Sequence, residues 1–557
     1  MQNQLNNAVG AECPQPRMAL SVVANQKLWQ WVNNNAFYQL VPAPYYSFYN
    51  NWVRLWLYWY DGYVPWIHGT QQGLLSTNIG TTIVNRTTDC VFGGNLMFAN
   101  ARKPTSYTTK NGKPIGSAMN FIANKWAIEV DFKGKVKRAV KDAFAGGFSL
   151  IKLNKANGKL WVDSLRADRF FIDKTGNGKL RKVVSVLAFY DAMTPDKSNG
   201  NGKKYGLIEE RRYEPIGIFG DEIPVVEYKM YDTSVQVQYL DINDRYVRWE
   251  DLPKKVKAAF KAEYDFELNK PQALNGFSDL GCYLLLGSDD ISNVPQLGLG
   301  ESLLANILTY LYEYDFYNTC FNTDMYLARG RVLVPKVMQS LQAQSGAQPS
   351  GLDEFLYTKW DTFNTDAQKP EPIQFALRSS EWKEARNMLL ECMATTIGLS
   401  VSTLASYLQD GSNRTAREVS AEENATTLFV ENARRRFEAP LNELLKTVLR
   451  FYGYADDIEV RWSRSGMTNI TVLVDTLSRA VDSGLISQKK AHHAFNYDDD
   501  EEQNEEDFKL VEQEQQQKRE FDGEADYLRW QNDISKPTAE YAGDSTRNGG
   551  NENTADS

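Results

Sequence analysis

Between Glu418 and Tyr452 a stripe of small and apolar residues recurs along one helical face: Ala421, Ala425, Leu428, Ala433, Phe437, Leu441, Leu444, Val448 and Tyr452. That period marks one face of an α-helix. At ~1.5 Å per residue the helix reaches about 50 Å, with Pro440 as the expected kink. The stretch before it is the opposite. GLSVSTLASYLQDGSNRTAREVSAEEN (398–424) is small and polar, with little to bury. It follows another helix, SSEWKEARNMLLECMATTIG (379–398). There Ser380 is the expected cap, Glu381 suits the N-terminus and Gly398 the stop. Trp382, Ala385, Leu389, Cys392, Met393 and Thr396 mark the expected apolar face.

Upstream, ESLLANILTYLYEYDFYN (301–318) has a helical period. MYLARGRVLVPKVM (325–338) reads as a strand, QAQSGAQPSG as a loop, and LDEFLYTKWDTF as a small α/β piece closed by Pro370 and Pro372. The first 300 residues read as α+β. Helical patches are expected at 20–35 and 47–60, and a Gly- and Thr-rich strand region at 74–98. VKRAVKDAFAGG (136–147) reads as a helix with Val136, Val140 and Phe144 on one face. Two hairpins follow, FSLIKLNKANGKLWVDSL and RFFIDKTGNGKLRKVVSVLAFYD, each around an Asn-Gly turn. Further strands are expected to about 249, then short helix and loop to 300. After the long helix come a strand (DIEVRW), a helix stopped by Gly484, and another capped by Ser487.

A chain of 557 residues is too long for one simple core and suggests two to four sub-domains. Its net charge of −9 is concentrated: Asp498–Asp507 carries eight acidic residues and no basic one, leaving the remainder near neutral. Domains that grip polyanions are usually basic, so this composition argues against one. The acidic run reads as a solvated segment, or as one that repels a polyanion or docks a basic partner. Beyond about 531 the tail is polar and expected to be disordered. Five scattered cysteines, none in C-x-x-C spacing, argue against a disulfide framework or zinc site and for a reducing compartment. The opening MQNQLNNAVG is polar and does not read as a signal peptide. In 45–67, Arg54 and Asp61 break the apolar run well below the ~20 residues of a membrane span, so an aromatic packing helix is expected.

Catalytic signatures are weak. The three histidines are His68, His492 and His493, and the adjacent pair points to different sides of a helix. No P-loop motif occurs. DKTGNGKL (173–180) echoes a calcium loop, but position twelve is Val184, so a hairpin turn is the better reading. No cofactor or metal is expected. Arg434, Arg435 and Arg436 read as a solvated helix face with pairs such as Glu431–Arg435, or as DNA-proximal cations.

The order of these pieces resembles that of bacteriophage portal proteins of the siphophage type, from about 45 to 520. WLYWYDGYVPWI resembles their aromatic-Gly element, and VKRAVKDAFAGGFSLIKLNKANGKLWV their helix, Gly turn and hairpin. The run from ESLLANILTYLYEYDFYN through MYLARGRVLV to SSEWKEARNMLLECMATTIG resembles stem helix, clip and stem helix. NRTAREVSAEENA resembles the stretch entering the long helix beside the tunnel loop. DTLSRAVDSGLISQKKAHHAF and EEDFKLVEQEQQQ resemble the C-terminal region.

The resemblance implies an α+β protomer. Its α/β wing covers 1–300, a first stem helix 301–324, a small α/β clip 325–378 and a second stem helix 379–398. A tunnel loop covers 399–417, a long kinked wing helix 418–455, and a wing strand with crown helices 456–497. An acidic, partly disordered tail covers 498–557. The same resemblance implies a homo-oligomeric ring, dodecameric in the virion, at the capsid vertex. Double-stranded DNA passes through it during packaging and ejection. Terminase, the major capsid or scaffolding protein and a head–tail adaptor are the implied partners, with no membrane. The protein is placed in the virion, and in the host cytoplasm during assembly. The channel-lining candidates are Ser406, Gln409, Asp410, Gly411, Ser412, Asn413, Arg414 and Thr415. Two readings compete with a portal: another phage structural or adaptor protein, and a soluble enzyme with a pocket that spacing does not reveal.

Overall fold

The computed structural model describes residues 48–62, 76–93, 96–100, 116–156, 158–175, 178–192, 203–216, 221–232, 247–263, 267–288, 298–327, 331–335, 357–360, 371–373, 378–404, 416–454, 458–462, 470–495, 507–513 and 516. The chain divides into two units, 1–467 and 468–557. Helix and strand are mixed, as the α+β reading expects. The helical patch expected at 20–35 and the tail beyond 516 lie outside the described residues.

In the first unit a π-helical turn, Tyr49–Val53, runs into α1, Arg54–Asp61. Tyr49, Trp56 and Trp59 of this stretch are core, and Trp52, Tyr58 and Tyr60 are half-buried. Tyr49 meets Phe148 at 5.4 Å and Phe171 at 4.8 Å, and Trp56 is buried. No helix among the described residues is long and apolar enough to cross a membrane. The strand region expected at 74–98 is instead α2, Ile79–Val91, followed by the short β1, Leu96–Asn100. The threonines misled. Thr87 and Thr88 return their hydroxyls to the carbonyls of Ile83 and Val84 one turn back, so they satisfy themselves within a helix. Ile83, Val84, Thr87, Thr88 and Val91 form its buried face.

Helix α3, Phe132–Gly146, buries Val136, Val140 and Phe144 as their spacing predicts. It packs on a three-stranded antiparallel sheet ordered β3-β2-β9, built from β2 (Phe148–Ala156), β3 (Lys159–Arg166) and β9 (Cys282–Leu286). The stretch 250–300 therefore contains a core strand that periodicity did not reveal. Its ends meet where three glycines allow close backbone approach. Gly147 sits at φ +89°, and a Cβ there would lie 2.4 Å from the Gly300 carbonyl. A five-stranded antiparallel sheet follows in the order β4 (Phe170–Lys174), β5 (Leu180–Ala192), β6 (Lys203–Ile216), β7 (Asp221–Asp232) and β8 (Gln272–Ala273). Helix α4, Lys254–Glu263, contacts β5.

The middle strand β6 carries Glu209-Glu210-Arg211-Arg212, and strand alternation sends the two pairs to opposite faces. Glu210 and Arg212 join Glu214, Glu227, Lys182 and Lys229 in a half-buried ionic ladder. Glu209 and Arg211 point into the core, where Lys152 of β2 meets Glu209 at 2.8 Å.

The helix expected from 301 starts later than its periodicity suggested. A 3-10 turn, Ala305–Ile307, leads into α5, Leu308–Leu327. Residues 325–327 thus end a helix, and the strand expected over 325–338 is β10, Arg331–Pro335. It pairs in parallel with β11 (Tyr357–Trp360) and antiparallel with β12 (Glu371–Ile373). Pro372 sits in an edge strand, where a missing N–H costs nothing. The loop at 342–351 lies outside the described residues.

Helix α6, Ser379–Ile397, ends at Gly398 with φ +86°. Arg378, not Ser380, occupies its N-cap position, with no side-chain cap bond. Its buried residues are Leu390, Met393 and Ala394 rather than the whole stripe through Trp382 and Thr396. The polar stretch is not wholly loop: Leu399 and Ser400 are buried, and Val401–Leu404 form a short helix, α7. Helix α8, Ala416–Phe451, is a single 36-residue element running through Pro440. It buries Val430, Ala433, Phe437, Leu441, Leu444 and Val448. Leu428, expected on that stripe, is 61% exposed, Ala425 is exposed and Thr426 is buried in their stead. Strand β13, Ile458–Trp462, pairs antiparallel with β1.

In the second unit α9 (Ile470–Asp482) and α10 (Gln488–Phe495) flank the Gly484 stop. The Ser487 hydroxyl accepts the Lys490 N–H at 3.3 Å, as its capping position predicts. His492 packs on Phe508 at 5.6 Å. The acidic run up to 506 lies outside the described residues.

Candidate functional site

Helices α5 and α6 lie side by side and antiparallel. At one end Tyr317 meets Trp382 edge-on at 5.7 Å. Asp324 accepts the Trp382 indole N–H at 2.8 Å and an Arg378 guanidinium N–H at 2.9 Å. Those two hydrogen bonds hold the Asp324 carboxyl below the usual carboxylate range. The clamp ties the last turn of α5 to the first turn of α6, at the base of the small sheet between them.

At the other end Gly398 returns its N–H to Ala394, and Leu399 does the same at 2.9 Å, closing α6. The Ser400 N–H then donates to Thr426 of α8 at 2.8 Å, and the Ser400 and Thr403 hydroxyls meet at 2.6 Å. Arg86 of α2 donates to the carbonyls of Thr403, at 3.3 Å, and Leu404. The segment after Leu404 is therefore anchored at its root. The candidates Ser406, Gln409, Asp410, Gly411, Ser412, Asn413, Arg414 and Thr415 lie outside the described residues.

The arginine run is split by its helix. Arg434 is buried, donates from Nε to the Val91 carbonyl at 2.9 Å, and lies over the Trp462 ring at 5.6 Å. Arg436 donates to the Gly287 carbonyl at 3.0 Å. Only Arg435 has an exposed side chain. Two of the three cations thus hold α8 to its neighbours, which the 3.6-residue period could have suggested.

Helix α6 wears three parallel stripes. Leu390, Met393 and Ile397 face inward. Ala385, Leu389 and Cys392 are half-buried beside them. On its back, Glu381, Glu384, Met388, Glu391 and Thr395 recur at three and four, all exposed, with no cation among them. Among the described residues no group of His, Cys, Asp and Glu is arranged to hold a metal.

What these elements define is a scaffold of packed helices carrying a small sheet at one end and an anchored segment at the other. The chain belongs to the family described as phage portal protein, SPP1 Gp6-like, which it matches over residues 74–520. The family is structural rather than enzymatic, and its members form an oligomeric ring in the phage head with capsid and terminase as partners. No curated protein matches the chain.

Proposed function

We propose that this chain builds the capsid-vertex ring through which double-stranded DNA is packaged and ejected. In this reading α5 and α6 are the stem. With residues 325–327 belonging to α5, the clip expected at 325–378 reduces to 328–378, and terminase, and later the head–tail adaptor, docks on it. The capsid or scaffolding protein meets the wing, and Ser406–Thr415 line the channel. The observation that carries the reading is the cation-free acidic stripe on the back of α6, which runs toward the anchored root of the 405–415 segment. Each Lys or Arg contact to a phosphate adds salt-dependent affinity, so a conduit works best with walls that repel rather than grip. Arg435 is the one member of its run left exposed to approach DNA.

The test is DNA packaging by procapsids that carry variant rings. Reversing the wall with Glu384→Lys and Glu391→Lys, or the loop with Asp410→Lys and Asn413→Lys, should leave rings and procapsids intact. Packaging should slow, with the defect relieved at higher salt. Normal packaging at every salt concentration in both variants would rule out these residues as channel wall.

A further inference from the structure

Helix α7 is a single turn, Val401–Leu404, and one turn is too short to hold itself in water. Its last carbonyls have no partner within the helix. With Leu404 buried, the turn is held from two sides. On one side Ser400 caps its start, accepting the Thr403 N–H at 3.3 Å, and the Thr403 and Thr426 hydroxyls stand 3.4 Å apart, which joins α7 to α8. On the other side Arg86 reaches across from α2. A single nitrogen, Nη1, donates to the carbonyls of both Thr403 and Leu404, beyond which the 405–415 segment begins. Among the described residues no carboxylate pairs with Arg86, and Asp89, the sole acid of α2, is engaged by Lys137 at 2.8 Å. The charge of Arg86 is therefore directed at the negative end of the turn. Helix α2 is itself fixed at both ends. Just before its start, the Thr77 N–H and hydroxyl donate to the buried Asp315 of α5 at 3.0 and 2.7 Å, and its Val91 carbonyl accepts from Arg434 of α8.

We propose that Arg86 is a positioning residue for the channel: by holding the Thr403 and Leu404 carbonyls, it fixes the point and direction from which the chain leaves α7. The inference rests on the reading of Ser406–Thr415 as channel lining and names the side chain that aims that segment. Arg86 is half-buried and lies outside the face that α2 buries through Ile83, Val84, Thr87, Thr88 and Val91. Its loss therefore removes two hydrogen bonds at the root of the segment and opens no cavity in the core. The guanidinium offers its donors in a fixed fork, so bridging two successive carbonyls also sets their orientation. An ammonium makes the same charge contact with less fixed geometry. A shifted exit displaces every residue of the segment that follows, and a site works only when a rigid element supports it closely. Here that element is α2, pinned to α5 and α8.

Two measurements on the full-length chain test this. Hydrogen exchange followed by mass spectrometry reads the opening of residues 399–404, and DNA packaging by procapsids carrying variant rings reads the function. Arg86→Met should speed exchange across 399–404 roughly tenfold, the equivalent of one hydrogen bond to a charged group. Ring formation and thermal melting should stay as in the wild type. Packaging should slow, and Arg86→Lys should recover most of both effects. Asn85→Met, at an exposed neighbouring position on α2, should change neither. Unchanged exchange in Arg86→Met overturns the inference, and so does faster exchange with packaging at the wild-type rate. The conduit reading survives both results. An Arg86→Lys chain that recovers neither effect shows that the charge contact is not what acts, and overturns the inference too. A wild-type chain that forms no rings overturns the conduit reading, and the role of Arg86 with it. Should Arg86→Met misfold, Thr403→Val decides, because it loosens the same turn from the α8 side. Faster exchange with slower packaging in that variant supports the proposal, and any other combination overturns it.

Discussion

Glu209 offers the sharpest test of how the two sheets of the first unit are held. Its Oε2 lies 2.8 Å from Lys152 Nζ and its Oε1 lies 2.5 Å from Arg211 Nε, with all three side chains at most 2% exposed. Burial by itself raises this carboxyl. Arg211 and Lys152 together outweigh burial and keep it below the usual glutamate range. The site carries one net positive charge, because two cations share one anion. Glu209→Gln raises that to two and strands Lys152. Arg211 is less affected, since it also donates to the carbonyls of Leu153 (2.8 Å) and Leu280 (2.9 Å) and to Asn154 Oδ1 (2.8 Å). Breaking one partner out of a buried pair costs about 3–5 kcal/mol. With Arg211 still satisfied and the amide oxygen still able to accept, a loss near ~3 kcal/mol is expected. Adding Lys152→Met restores the original net charge and should recover about 2 kcal/mol of it. Urea unfolding followed by tryptophan fluorescence measures both. A loss under ~1 kcal/mol for Glu209→Gln, or a double variant no more stable than the single, would refute the argument that an uncompensated buried ammonium dominates.

Asp142 should show the opposite pH behaviour. Burial pushes its carboxyl up to about 6, with Arg166 opposing and Asp168 reinforcing the rise. The folded chain therefore holds this proton more tightly than the unfolded chain, and stability falls as pH rises from 3.8 toward 6. The full window corresponds to ~3 kcal/mol, and partial exposure reduces it. Asp142→Asn should thus stabilise by roughly 1–2 kcal/mol at pH 7.5 and by almost nothing at pH 4. Equal gains at both pH values in thermal melts would disprove it. On α8, Arg434→Met should cost about 1–3 kcal/mol through the lost bond to Val91 and contact with Trp462. Arg435→Gln should stay within about 0.5 kcal/mol of wild type and lessen only salt-sensitive DNA association. Equal melting shifts for the two would mean that the exposed and buried arginines are not distinguished as described.

Periodicity by itself determined a good deal here. The long helix, α3, both Asn-Gly hairpins and the Gly398 and Gly484 stops follow from local rules, because helix faces, turn φ angles and caps are set by residues a few positions apart. The order of these pieces also carried the family resemblance. What the sequence could not supply was anything that depends on distant partners. The segment with Thr87 and Thr88 reads as strand until its hydroxyls are seen to bond within a helix and its apolar face to meet α3. Strand β9 is short and becomes core only by pairing with β2. The same apolar spacing on α6 fits two stripes. Only its packing decides that Leu390 and Met393 go inward while Leu389 and Cys392 remain at the edge. Likewise Arg434 and Arg435 are identical in sequence terms. One helical step turns the first toward Val91 and Trp462 and the second toward water, and only tertiary packing decides which step faces the core.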